Sequence, residues 1–427
     1  MNPVTLTYLI LFITSALATM SYRIPKMQSN VFILLSSWGL FIGLHIWSAI
    51  FGYQEWLFSS YALFKNVDFY SIVVDGMLCY LLFAGCLHVD ISSFIHKMKI
   101  ILTLAIVTTI CSFIFTAALV YAVFMYLGVD LPWLTPFIYA AVIAPTDPVA
   151  VLALLKNLDL SKELYAKVAS ESLLNDGVGV VLFLTVLKFA DSPQLDMSAG
   201  LQALEFFARE GLGGLALGAG LAYLLLSMPL KSIRQEERVS NQLVFLLMTL
   251  LNLGFLCAKL LHVSPPLVAV GSGLWTSYIL QDLNEQQRSV VHVFWDTVDE
   301  IMNYVLFFIV GFQSMFINIS SIYVRLMFWA VIVNFIVRVL AVCIPLLAIR
   351  VGYKNNATLY KTLVIGGLKG GLSLALALSI PRDYPGFTVI FDMTYAVVGF
   401  TVIVQGLSIE RYLKLLKMRS KTVDVVI

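Results

Sequence analysis

Charge is what this sequence has least of. Asp, Glu, Lys and Arg together make up 12% of its 427 residues, where a soluble domain carries about 25%. Mean hydropathy is +0.91. That shortage excludes water as the solvent of most of the surface and leaves lipid. The two signs nearly cancel, to +2, which excludes the basic footprint of a nucleic-acid binder. Cysteine is also scarce. Cys79, Cys86, Cys111, Cys257 and Cys343 lie in apolar runs with no CxxC spacing, so neither a disulfide framework nor a zinc site is expected. They read as small packing residues. The five histidines sit mostly near the ends of apolar runs and carry no assigned role. The apolar N-terminal run has no basic stretch ahead of it, so it reads as a first spanning helix and not as a cleaved signal peptide.

What is present is a series of apolar runs. A spanning helix needs about 20 mostly apolar residues. Such runs lie near 4–21, 31–50, 70–88, 100–126, 132–155, 165–189, 208–229, 240–262, 265–280, 297–317, 326–349, 358–380 and 387–410. The chain is therefore predicted to be an all-α integral membrane protein of about thirteen transmembrane helices. Lys and Arg collect on the cytoplasmic side of membrane proteins. With the N-terminus outside and the C-terminus inside, nineteen of the 27 Lys and Arg fall in inner loops and four in outer ones. Losing one span would invert every later loop. The expected location is the cytoplasmic membrane, with a short inner tail after the last span.

Three polar groups interrupt these runs at depths where ionisable residues are costly. The first is Ala144-Pro145-Thr146-Asp147-Pro148 in span 5. Each proline removes a backbone donor and disfavours helix in the residue before it. A break is expected, and unwound backbone survives at depth only inside protein or beside a cavity. A proline kink with Asp147 as a helix cap is the plainer alternative. The second is Glu171-Ser172-Leu173-Leu174-Asn175-Asp176-Gly177 in span 6. Ser172 and Asp176 share one helix face, and Glu171 and Asn175 the adjacent one. A carboxylate and a hydroxyl on one face are hard oxygen ligands for a small cation; a polar seam gluing helices is the alternative. The third is Gly366-Gly367-Leu368-Lys369-Gly370-Gly371 in span 12, where four glycines weaken the helix around one cation. A loop with a snorkelling Lys369 is the alternative there. Arg338 lies mid-span in run 11, and Glu171 is the natural partner of either Arg338 or Lys369. Glu300, near the start of run 10, fits a cytoplasmic funnel or a solvated helix start equally well. Spans 5 and 12 are the middle helices of two trios offset by seven spans, hence of opposite orientation. Inverted repeats with two crossed discontinuous helices at mid-membrane are a recurring transporter design.

These motifs resemble a family. Ala144 to Ala150 with Val151, followed by Glu171 to Gly177, is similar to the signature of monovalent cation:proton antiporters of the NhaP and NHE type. Gly366 to Gly371 is similar to that family's third motif. The resemblance implies a secondary transporter without cofactor and not an enzyme, exchanging Na+, or Li+ or K+, for protons. It implies a homodimer with an elevator-like core. The corresponding division is 1–97 (dimerisation helices 1–3), 98–190 (core helices 4–6), 191–230 (linking helix 7), 231–320 (dimerisation helices 8–10), 321–412 (core helices 11–13) and 413–427 (cytoplasmic tail). It makes Asp176 the carboxylate that alternates between cation and proton, helped by Asp147, Thr146 and Ser172. Glu171 is expected in a structural ion pair, with Lys369 and Arg338 compensating charge in the core. Asn175 stands where electrogenic relatives have a second Asp, which implies electroneutral exchange. Two departures stand out: Lys369 replaces the usual Arg, and Ala84 stands where some members carry a ligand Glu. An anion symporter on the same fold is disfavoured by Asp147 and Asp176. An intramembrane aspartyl protease lacks its Gly-x-Gly-Asp arrangement, and a channel would pass larger currents.

Overall fold

In lipid every backbone donor and acceptor must be satisfied within the protein, which leaves helices as the default for apolar runs this long. The computed structural model describes residues 3–24, 29–51, 70–89, 91, 103–147, 162–190, 197–233, 239–313, 317–348, 360–406 and 408. Within them the chain is helical, and the sole strand-like feature is an isolated antiparallel bridge between Asp147 and Leu368.

The helices follow the predicted spans. They are α1 (Pro3–Ser21), α2 (Ser29–Phe51), and α3, a π-helical turn Tyr70–Met77 leading into Leu78–Leu87. Then come α4 (Thr103–Val107 in π form, then Thr108–Leu127), α5 (Thr135–Ile143), α6 (Lys162–Ala190), α7 (Met197–Ile233) and α8 (Val239–Leu261). After these follow α9 (Pro265–Leu280), α10 (Glu285–Gln313) and α11 (Ser321–Ala348). The twelfth, α12, is split into residues 360–365 and Gly371–Leu378, and α13 is Phe387–Phe400 followed by the π-helical Thr401–Gln405. The expected continuation of span 5 beyond Asp147, and the 413–427 tail, lie outside the described residues. Among the described residues, six helices are long and apolar enough to cross a bilayer on length and composition alone.

Helix ends follow local chemistry. Gly128, at φ 67°, closes α4 in the left-handed conformation that glycine adopts without a steric penalty. Pro265 and Pro266 open α9, where the missing N–H is no loss. Two helices outrun their apolar runs. α10 begins twelve residues before the predicted 297, and α7 runs past both ends of 208–229. Hydropathy marks only the lipid-embedded part, whereas helix propensity carries on into the polar flanks.

Helices α4, α5 and α6 pack on one another; α11 packs on α4 and α13, and the second half of α12 on α13 and α5. Separately, α9 packs on α7, α8 and α3, and α10 on α2, α3, α8 and α1. The two sets meet where α6 touches α7 and α9, and where the second half of α12 touches α10 and the start of α3. Large apolar side chains face outward, among them Phe12, Tyr126, Leu212, Leu260 and Phe328. Such a surface is a lipid-facing one.

Candidate functional site

The two helix breaks are joined to each other. α5 stops at Ile143, and residues 144–147 are unwound. α12 stops at residue 365 and restarts at Gly371. Across the gap the Asp147 amide donates to the Leu368 carbonyl at 2.9 Å. Asp147 and its neighbour Thr146 are therefore fixed by backbone from the opposite trio.

The carbonyls freed by the α12 break have partners. Arg338 donates through Nε and Nη2 to Leu363 O at 3.0 and 2.8 Å. Gln405 Nε2 donates to Ile365 O at 2.5 Å, and the Leu368 amide donates to Gly366 O. Thr401 brackets residue 369: the Lys369 amide donates to its Oγ1 at 3.2 Å, and Lys369 O lies 3.1 Å from the same hydroxyl. Thr401 and Gln405 begin and end the π-helical turn of α13. Such turns occur often at functional positions. Two of the glycines are demanded by close approach. A Cβ on Gly370 would stand 2.2 Å from Asp147 Oδ2, and one on Gly367 would stand 2.1 Å from Arg338 Nε.

Lys369 is buried, and its Nζ donates to Ala144 O at 3.2 Å and Pro145 O at 3.0 Å. Those carbonyls form the C-terminal, partially negative end of the first half of span 5. The Lys369 amine thus sits on a helix terminus. Glu171 is paired instead with Arg338, Nη1 to Oε1 at 3.2 Å, both side chains buried. The sequence left Glu171 with two candidate cations, and the geometry selects Arg338.

α6 presents the remaining expected residues to the α5 break. Ser172 Oγ donates to Thr146 O. Asn175 Nδ2 donates to Thr146 Oγ1 at 2.9 Å. Thr146, Ser172 and Asn175 are buried, whereas Asp147 and Asp176 keep partial exposure. Asp147, Glu171 and Lys369 are the charges that act on Asp176. Two partly exposed carboxylates, Asp147 and Asp176, thus act on each other beside the hydrogen-bonded Thr146, Ser172 and Asn175, and the charge of Lys369 also acts on Asp176. Such oxygen-rich chemistry suits a small hard cation, and either carboxylate can instead take a proton.

Glu300 stands apart from this cluster. It is exposed and receives the Tyr22 hydroxyl at 3.0 Å. Because α10 begins at Glu285, Glu300 is mid-helix, which removes the helix-start reading. Asn303 donates to Asp299, at 3.2 Å to Oδ2, and not to Glu300. Ala84 is buried in α3.

Three participants escaped the sequence reading: Thr109, Thr401 and Gln405. Thr109, on α4, is 2.6 Å from Asn175 Oδ1 and 2.5 Å from Ala105 O. Their signal was faint. A threonine in an apolar helix usually bonds its own backbone four residues back, so Thr109 and Thr401 look ordinary until the fold is known.

The family model "Sodium/hydrogen exchanger, transmembrane" matches residues 9–415. The chain is 34% identical over 363 residues to the Na+/H+ antiporter NhaP of Pseudomonas aeruginosa, covering 81% of each. It is 28% identical to the Na+/H+ antiporter NhaH of Halobacillus dabanensis, covering 82% of this chain and 84% of that one. Among solved structures, the sodium proton antiporter MjNhaP1 from Methanocaldococcus jannaschii at pH 8 superposes with a TM-score of 0.71 over 97% of both chains, at 18% identity. A match of that extent, on a fold whose two broken helices are bridged between Asp147 and Leu368, places this multi-pass membrane protein in the sodium/hydrogen exchanger family of transporters.

Proposed function

We propose that the protein exchanges a monovalent cation for protons across the cytoplasmic membrane, sodium first and lithium or potassium as alternatives, one cation for one proton. The observation that carries this reading is the cross-braced break: Asp147 is held by Leu368 while α6 fixes Thr146 beside Asp176. Cation and proton compete for Asp176, with Asp147, Thr146 and Ser172 supplying further oxygens. Asn175 is neutral and bound on both sides, so it adds no second titrating charge next to Asp176, which supports electroneutral exchange.

Helices α4–α6 (98–190) and α11–α13 (321–412) move as a core against α1–α3 (1–97) and α8–α10 (231–320), with α7 (191–230) linking them. The packing supports this division, since each set contacts itself more extensively than the other. The static set forms the homodimer. The N-terminus lies outside and the C-terminal tail inside, on the charge bias of the loops, and Glu300 lines the inner funnel beside Tyr22.

The test is proton movement in reconstituted vesicles, followed with a pH-sensitive dye on adding sodium, lithium or potassium, with and without a clamped potential. Cation-dependent signals indifferent to the clamp are expected. Asp176→Asn should abolish them. Full exchange in that variant would refute the shared-carboxylate mechanism, and a potential-dependent signal would overturn the one-for-one ratio.

A further inference from the structure

Thr109 lies one residue removed from the cation site, and its geometry is unusual. Its Oγ1 is 2.6 Å from one end of the Asn175 amide and 2.5 Å from Ala105 O, while the other end of the amide is 2.9 Å from Thr146 Oγ1. Thr109 and Asn175 are almost completely buried, at 1% exposure each, so water supplies no alternative partner. A hydroxyl has one proton to give and can accept two. The amide has one accepting and one donating end of nearly the same shape.

Counting protons leaves two complete arrangements. In one, Asn175 Nδ2 donates to Thr146 Oγ1 and Thr109 donates to Asn175 Oδ1. Thr146 then keeps its own proton to point into the site, where Asp147 or Asp176 can accept it. In the other, the amide is turned half over. Thr146 donates to Asn175 Oδ1, Asn175 Nδ2 donates to Thr109, and Thr109 passes its proton to Ala105 O. Thr146 then shows only lone pairs to the site, as a neutral cation ligand must. The double contact of Thr109 is what allows both arrangements without an orphaned donor.

We propose that Thr109 is a positioning residue that lets the Asn175 amide reverse, so that Thr146 presents a proton to the empty site and lone pairs to the cation-loaded one. This rests on the reading of Thr146, Asp147 and Asp176 as the exchange site. Without a hydroxyl at 109, either amide orientation leaves one buried end unsatisfied.

The experiment compares sodium-dependent proton exchange in vesicles for the wild type, Thr109→Val, Thr109→Ser, Asn175→Ala and the Thr109→Val/Asn175→Ala pair. Thr109→Val should raise the KM for sodium about five- to tenfold, the scale of one buried hydrogen bond, with the maximal rate little changed. Thr109→Ser should restore it. On the Asn175→Ala background the valine should have no further effect, because Thr109 acts only through the amide. Thr109→Ala replaces the valine variant if that protein is not monodisperse. An unchanged KM in Thr109→Val, or an effect that persists in full without Asn175, overturns the relay. A wild type that moves no protons with sodium overturns the antiport reading, and the relay with it.

Discussion

At the scale of single residues, the site depends on how its charges are matched. Arg338 and Glu171 are buried together, and removing one partner strands the other. Arg338→Met should therefore cost on the order of 3–5 kcal/mol, read as a drop in the melting temperature of the purified protein. Glu171→Gln should cost less, because Arg338 keeps its two bonds to Leu363 O and the glutamine oxygen can still accept from Nη1. Equal losses in the two variants would show that the pair is not the source of the stability. The proposed competition at Asp176 also has a pH signature. Where the carboxylate is mostly protonated, the KM for sodium should rise about tenfold for each unit of acidification. A KM independent of pH would place the proton on another group.

Among elements, the broken helices decide. Gly370→Ala puts a methyl group where Asp147 Oδ2 lies and should push that carboxylate out of place. Sodium affinity should fall at least tenfold, the scale of a tight, unrelieved clash, while α12 stays folded, since Gly370 lies between its two helical halves in an extended conformation that alanine also adopts. Retained affinity would mean that Asp147 is not a ligand. The breaks themselves were legible in the sequence, because two prolines and four glycines inside apolar runs conflict with a continuous helix. So was the polar face of α6, because Ser172, Asn175 and Asp176 are costly in lipid. The partners that hold the breaks were not legible. Gln405 and Thr401 reach α12 only because α13 packs alongside it, and the choice of Arg338 over Lys369 for Glu171 depends on where α11 comes to rest. Lys369 could be read as a buried cation but not as a helix cap, since its acceptors are carbonyls, which every residue has.

For the molecule as a whole, the acids of the site come from the first trio of the inverted pair and the cations from the second. Glu171 meets Arg338 across 167 positions of sequence, and Lys369 reaches the Ala144 carbonyl across 225. At synthesis rates of about 5–20 residues per second, the nascent chain holds Glu171 without its guanidinium for roughly ten to thirty seconds. During that interval α6 carries Glu171 and Asp176 into lipid with no basic partner from α11 or α12. Such a segment is poorly retained in a bilayer on its own, and later helices have to rescue it. Completion of the proposed exchange site is thus tied to the arrival of α11 and α12, and a chain stalled before α11 would hold the acids of α6 without the cations that match them.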